Sequence, residues 1–248
     1  LTDENFEKEF LNINSKKLLK LLNKCKFSMS NDETRHYLSG IFFHVTKSNE
    51  NSYLTGVATD SHRLSSSSLE IDKNDFASLI LPRKTVFQLC SLLTESPEQV
   101  TMQTSENKIK FTLGKIRLIS KVIDGKFPDY KKVVPSGNDK ILSISSKDFI
   151  NSIERVTSVS LDRKEGLKLN INKENVQLSV NSANSGEGNE VIKANFNSEN
   201  LMDMTRENNE NCLFSQSDLH FSGRREFFLP LKNFYEFAEW SYLNDFHN

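Results

Sequence analysis

Asp60, Ser61, His62 and Arg63 stand side by side in the stretch Val57-Ala58-Thr59-Asp60-Ser61-His62-Arg63-Leu64. A carboxylate, a hydroxyl and an imidazole are the residue types of nucleophilic hydrolysis, where a base within hydrogen-bond reach takes the nucleophile's proton. The spacing argues against that use. The stretch continues a strand-like run, residues 52–56, and in an extended chain neighbouring side chains point to opposite faces. Thr59, Ser61 and Arg63 then share one face and Asp60, His62 and Leu64 the other, so Ser61 and His62 diverge unless the backbone bends. A hydrolase built on Ser61, His62 and Asp60 is the alternative that only such a bend would permit. A polar strand end presenting hydrogen-bonding groups to a partner fits the pattern better.

Other chemistries find less support. His36, His44, His62, His220 and His247 are scattered and no Cys-x-x-Cys occurs, so no metal or other cofactor is expected. Gly137, Gly186 and Gly188 lack the neighbours of a phosphate loop. Asp60 with Asp124 or Asp129 would make a carboxylate pair, but with 33 acidic residues in the chain, surface placement is the simpler reading. Arg35-His36-Tyr37 lies in a polar loop, residues 28–37, and Arg83-Lys84 precedes a helix; both are the types that contact phosphate. The competing reading for each is an ordinary solvated charge. Residues 125–135, Gly-Lys-Phe-Pro-Asp-Tyr-Lys-Lys-Val-Val-Pro, combine two path-fixing prolines with aromatic, apolar and basic side chains. Such a segment suits either the lining of a groove or a rigid connector between domains.

With 248 residues, 36% hydrophobic and 26% charged, the chain is long enough for two ordinary domains with cores of their own. A net charge of -1 excludes a bulk polycation, so contact with nucleic acid would have to come from a local patch or from enclosure. Cys25, Cys90 and Cys212 are dispersed and odd in number, which points to a reducing, cytoplasmic setting. No apolar run approaches the roughly 18 residues of a membrane span, and no membrane partner is expected. The start at Leu1, in a polar stretch, reads as a linker and suggests a fragment, or a chain lacking an N-terminal domain.

The elements that must position these residues follow from periodicity. Residues 10–14 read as a strand, with Ser15 as N-cap of a basic amphipathic helix over residues 16–26. Residues 38–45 form a strand, followed by the polar stretch above; residues 79–84 lead into a second helix over 85–93. Residues 100–104, 108–113 and 116–123 read as three antiparallel strands with turns at Asn107 and Gly114. A strand-helix-strands unit has thus occurred twice, and it recurs after the turn-rich residues 135–139. Ile141-Leu142-Ser143-Ile144-Ser145-Ser146-Lys147 mirrors Phe10-Leu11-Asn12-Ile13-Asn14-Ser15-Lys16 at an offset of 141 − 10 = 131 residues. Two similar domains in tandem are expected, residues 1–137 and 138–248. Residues 167–171 and 176–180 continue as strands, while the Asn-, Glu- and Ser-rich part beyond about 184 reads as divergent or truncated.

Four segments now fall in one order: Arg35-His36-Tyr37-Leu38-Ser39-Gly40-Ile41, then 57–64, then Pro82-Arg83-Lys84, then Asp124-Gly125-Lys126-Phe127-Pro128-Asp129-Tyr130. Together they resemble the middle domain of the bacterial sliding clamp, the beta subunit of DNA polymerase III, with the resemblance extending over residues 10–182. It implies an α+β DNA-clamp (processivity) fold, with tandem similar domains each made of two strand-helix-strand units packing helices on antiparallel sheet. This chain would hold the middle and C-terminal domains and lack the first. The family's function would be processivity of the replicative DNA polymerase, by encircling double-stranded DNA without sequence preference, with no catalytic site of its own. The ring requires a second clamp subunit, and the chain alone should not close it. A clamp-derived peptide-binding scaffold without DNA encirclement is the competing reading.

Carried over position by position, the resemblance implies a pocket that docks peptides from the polymerase, the clamp loader and other clamp-binding-motif proteins. Its members would be Leu38, Thr59, Ser61, His62, Arg63, Leu64, Pro128, Lys132 and Val133, with Asn197, Leu229, Pro230 and Leu231 on a C-terminal wall. Arg35, His36, Tyr37, Arg83 and Lys84 would face DNA phosphates, which carry no sequence information. The chain departs from the family pattern at Ser61, where glycine is usual, and at Asn200, where tyrosine is usual. Its residues 233–248 continue where the family would stop.

Overall fold

The structure is a computed structural model that describes residues 6, 11–61, 63–72, 76–95, 98–134, 141–159, 166–182 and 185–197, and the backbone of 202–204, 219–220 and 228–230. Two compact units emerge, Leu1–Pro128 and Asp129–Asn248. Residues 129–134 of the connector therefore belong with the second unit.

The first unit runs β1 (Leu11–Asn14), α1 (Ser15–Lys26), a 3-10 turn (Glu33–Leu38), β2 (Gly40–Ser48), β3 (Asn51–Thr59), β4 (Leu64–Ile71), β5 (Leu79–Pro82), α2 (Arg83–Thr94), β6 (Gln99–Thr104), β7 (Lys108–Leu113) and β8 (Ile116–Lys121). Each half is one strand, one helix and three antiparallel strands. The sheets interleave the halves: β1 pairs with β6 in the order β1-β6-β7-β8, and β5 pairs with β2 in the order β4-β3-β2-β5. Each half thus lends its first strand to the other's sheet. Leu18, Leu21, Leu22 and Cys25 of α1 are buried at helical spacing, as are Val86, Leu89, Cys90 and Leu93 of α2. They enter one core with Phe43, Leu54 and Leu81 of one sheet and Val100, Met102 and Phe111 of the other. Burial pushes the Cys25 thiol up to about 12, and its Sγ lies 3.3 Å from the Gly56 carbonyl oxygen, to which it donates. It is a core residue and not a nucleophile.

Several local expectations need correction. The N-cap of α1 is Asn14 and not Ser15: the Asn14 Oδ1 accepts from the backbone N–H groups of Lys16 and Lys17, each at 3.1 Å. Ser15 is buried as the first helical residue. Leu38 closes the 3-10 turn, and the strand expected from 38 begins at Gly40. The strand expected over 116–123 ends at Lys121, leaving Ile123 in an isolated bridge to Ile80. Residues 57–64 are not one strand: β3 ends at Thr59, the chain turns through 60–63, and β4 starts at Leu64 and returns antiparallel. The serines after Leu64 therefore belong to a paired strand. Hydroxyls cross the sheet from Thr46 to Thr55 at 2.7 Å and from Thr55 to Ser68 at 2.8 Å, a ladder of cross-strand polar pairs.

The second unit contains β9 (Ile141–Ile144), α3 (Ser146–Thr157), β10 (Gly166–Ile171), β11 (Asn175–Ser182), β12 (Gly186–Phe196), β13 (Met202–Met204), β14 (Leu219–His220) and β15 (Phe228–Pro230). The order β12-β11-β10-β13 repeats β4-β3-β2-β5. The α3 N-cap is Ser145, and 145 − 14 = 131, the offset read from the sequence. Phe149, Ile153 and Val156 are buried where α1 has Leu18, Leu22 and Cys25. The region beyond 184 begins with a regular strand. β12 pairs with β11 from Gly186 to Lys193 and with β9 through Ala194 to Phe196. Ser152 occupies the position of Leu21 and donates to Glu190 Oε1 at 2.9 Å, while Arg155 donates from Nε and Nη2 to both Glu190 oxygens at 3.0 and 2.6 Å. This fork ties α3 to β12.

β12 and α3 approach closely at Gly188, where a Cβ would strike the Val156 carbonyl oxygen, a backbone atom that cannot swing aside. Gly188→Val should therefore lower the unfolding free energy by about 1–3 kcal/mol, the usual cost of overpacking, as read by urea denaturation.

Candidate functional site

The turn between β3 and β4 is built from its own polar side chains. The Thr59 Oγ1 donates to the Arg63 carbonyl at 2.7 Å and accepts from the Ser61 N–H at 3.1 Å. The Asp60 carboxylate accepts the Arg63 N–H at 3.0 Å on one oxygen and the Arg63 Nε–H at 2.9 Å on the other. Ser61 sits at φ 79°, in the left-handed region that costs a residue with a Cβ about 1–2 kcal/mol. The glycine usual at this position in the resembling family would avoid that cost. The Ser61 hydroxyl accepts from Arg35 Nη1 at 2.7 Å.

This geometry removes the hydrolytic alternative's third member, because the Asp60 carboxylate is engaged by Arg63 of its own turn. His62 lies outside the described residues. Among the described residues, no group of three or more His, Cys, Asp or Glu side chains could hold a metal ion. No helix among them is long and apolar enough to cross a membrane.

The remaining pocket positions sort by exposure. Leu64 and Arg63 are half-buried, the latter with its guanidinium 5.5 Å from the Phe27 ring centroid. Leu38 is only 3% exposed, so it can contribute a floor but not a rim. Pro128 is exposed, and the preceding Phe127 is buried by stacking on Phe42 with centroids 4.9 Å apart. In the second unit, Lys132 reaches Asp129 at 3.3 Å with its side chain largely exposed, Val133 is 56% exposed, and Asn197 is exposed. The backbones of Leu229 and Pro230 pair with Leu167 and Gly166 in β10. Leu231 and Asn200 lie outside the described residues.

The residues expected to face DNA carry internal partners that the sequence does not reveal. Arg35 sits at a kink of the 3-10 turn and donates from Nε to Asp32 Oδ2 at 2.9 Å in addition to its bond with Ser61. His36 Nε2 is 3.2 Å from the Asp124 carbonyl oxygen, and the Tyr37 ring meets the His36 ring edge-on. Arg83 donates from Nη1 to the Met29 carbonyl at 3.3 Å and stacks over Phe87, 5.1 Å from its centroid. Lys84 is exposed. The Thr34 hydroxyl and the Arg35 guanidinium, both hydrogen-bonded to Asp32, hold its carboxyl down to about 2.

Two measurements follow. Thr59→Val keeps the side-chain volume but removes the hydroxyl that bonds both the Arg63 carbonyl and the solvent-accessible Ser61 N–H, and should cost about 0.5–1.5 kcal/mol in urea unfolding. Asp32 has a depressed folded-state value, so its contribution is fully present above the unfolded value of about 3.9 and is lost as pH falls through about 2. The stability difference between wild type and Asp32→Asn should thus be constant from neutral pH to about 4 and vanish toward pH 2, as read by urea midpoints.

Residues 12–129 match the family model for the DNA polymerase III beta subunit, central domain, and residues 131–204 match that for its C-terminal domain. The beta sliding clamp of Caulobacter vibrioides is 32% identical over 189 residues, covering 75% of this chain and 51% of that protein. A crystal structure of the Caulobacter crescentus beta sliding clamp superposes with a TM-score of 0.76 at 30% identity, covering 80% of this chain and 53% of that one. The sliding clamp of Bartonella birtlesii bound to griselimycin gives 0.75 at 36% identity, covering 82% of this chain and 55% of that one. The chain thus spans about half the length of the curated relatives that it matches. The α+β architecture, the interleaved sheets and both domain matches agree, and the chain belongs to the family of the bacterial DNA polymerase III beta subunit, the sliding clamp.

Proposed function

We propose that this chain serves as a sliding-clamp subunit, encircling duplex DNA as part of a ring and docking partner peptides to hold the replicative polymerase on its template. It makes and breaks no bonds itself and works in the cytoplasm. The observation that carries the docking role is the turn Asp60–Arg63, held by four hydrogen bonds among Thr59, Asp60, Ser61 and Arg63 and followed directly by the half-buried Leu64. A rigid polar turn beside apolar surface is the composition of a peptide groove, where a few placed polar groups set orientation and the apolar wall supplies affinity. The exposed Pro128 adds a second stiff apolar surface. Griselimycin bound to the Bartonella birtlesii clamp supports ligand capture by this fold, and the same compound is expected to bind here.

Toward DNA, Lys84 offers an exposed cation, while Arg35 and Arg83 keep N–H donors beyond those engaged internally. Contacts of this kind are salt-sensitive and blind to sequence, as sliding requires. Partners are accordingly double-stranded DNA, the polymerase, the clamp loader and other proteins with clamp-binding segments.

Leu64→Arg and Pro128→Arg should each abolish binding of a synthetic peptide copied from the clamp-binding segment of the polymerase, measured by calorimetry, with the urea midpoint unchanged. Wild-type affinity in both variants would overturn the docking assignment.

A further inference from the structure

Asp32, Arg35, His36 and Tyr37 reach two places at once within the first unit. On one side Arg35 forks between Asp32 at 2.9 Å and Ser61 at 2.7 Å, gripping the tip of the β3–β4 turn. On the other side His36 meets the Asp124 carbonyl oxygen at 3.2 Å. Tyr37 closes on the same segment, its Cβ 3.1 Å from where a side chain at Gly125 would begin. The turn tip leads into Leu64, and the 124–125 segment leads into Phe127 and Pro128. Three consecutive residues therefore contact both of the segments that lead into the apolar docking surfaces. The segment is itself anchored: the Ser39 carbonyl accepts the Arg83 N–H at 3.0 Å and the Leu38 carbonyl accepts the Ser30 N–H at 3.0 Å.

We propose that the 3-10 turn Glu33–Leu38 is a brace for the docking groove, with Arg35 and His36 as positioning residues that act on a bound peptide through Ser61 and the Asp124 carbonyl. This rests on the docking role proposed above and goes beyond a DNA-facing role for the same residues. The Ser61 hydroxyl is what makes the Arg35 grip available, since a glycine at a left-handed position offers no side-chain acceptor. A turn tip held from outside enters the complex already ordered, and the ordering that would otherwise weaken binding is avoided. Because one guanidinium serves Asp32, Ser61 and any phosphate that reaches it, DNA contact and the stiffness of the docking rim are joined at Arg35.

A double-mutant cycle on the full chain tests this, using a fluorescein-labelled peptide copied from the polymerase's clamp-binding segment and read by anisotropy. Arg35→Ala and Ser61→Gly should each weaken binding roughly tenfold, the scale of one charge-assisted hydrogen bond. The double variant should bind no more weakly than either single one, because both remove the same link. Ser61→Gly suits its backbone position, so the fold is retained. An Arg35→Ala effect of equal size with or without Ser61→Gly would show that Arg35 touches the peptide itself, and no effect in any variant would leave Arg35 to DNA; either result overturns the brace. Leu64→Arg is measured alongside: its loss of binding together with an additive or silent cycle overturns the brace alone, whereas its retention of full affinity overturns the docking role and the brace with it.

Discussion

Everything in the first unit depends on an exchange of strands between its halves. Neither α1 nor α2 has a complete four-stranded sheet to lie on unless the other half supplies an edge strand: β1 must reach β6, and β5 must reach β2. Pairing Leu11 with Met102 and Ile41 with Leu81 draws both helices into one core, where Leu18, Leu22, Val86 and Leu89 are excluded from water together. Hydrophobic burial of this kind is non-directional, so the direction comes from the ladders. The register that fixes β3 against β2 and β4 also fixes where β3 runs out, and hence where the Asp60–Arg63 turn projects.

Much of this was legible in the residues. Both helices of the first unit announced themselves through leucines at helical spacing, and the 131-residue repeat carried the third helix to within a residue of its N-cap. Asn107 and Gly114 marked their turns, with Gly114 at φ 59°. What failed was local competition. Residues 57–64 alternate well enough to pass for one strand, and the turn becomes visible only once Asp60 and Thr59 are seen capping the backbone of Arg63. The family's usual glycine at Ser61 was the available signal, since glycine at a fixed position reports positive φ. Asn and Ser cap about equally well, so residue type could not separate Asn14 from its neighbour Ser15.

The strand β12 was hidden for a different reason. Its burial alternates only weakly, with Ile192 and Phe196 as its buried apolar residues, so little hydrophobic period marks it. It is held instead by a ladder to β11 and by the Ser152–Glu190–Arg155 fork from α3. Partners of this sort are nonlocal, and nothing in the spacing of Glu190 points to Arg155. The same holds for Arg35 and His36: their residue types suggested phosphate, while their actual neighbours, Ser61 and the Asp124 carbonyl, are far away in sequence. Residue type speaks to what a group can bind, and only the fold says what it already has.

The strand exchange has a consequence for birth on the ribosome. Within this unit β1 leaves the exit tunnel first, yet its partner strand β6 is made only after both helices and the whole of the other sheet. Until then Leu11 and Ile13 have no ladder to join, although the sheet β4-β3-β2-β5 already has all of its strands. The unit is thus obliged to fold late and nearly all at once, because the longest loop closes before its contacts repay the lost entropy. A stalled or shortened chain ending ahead of Gln99 would expose an unpaired edge and half a core, a natural substrate for chaperones and proteases.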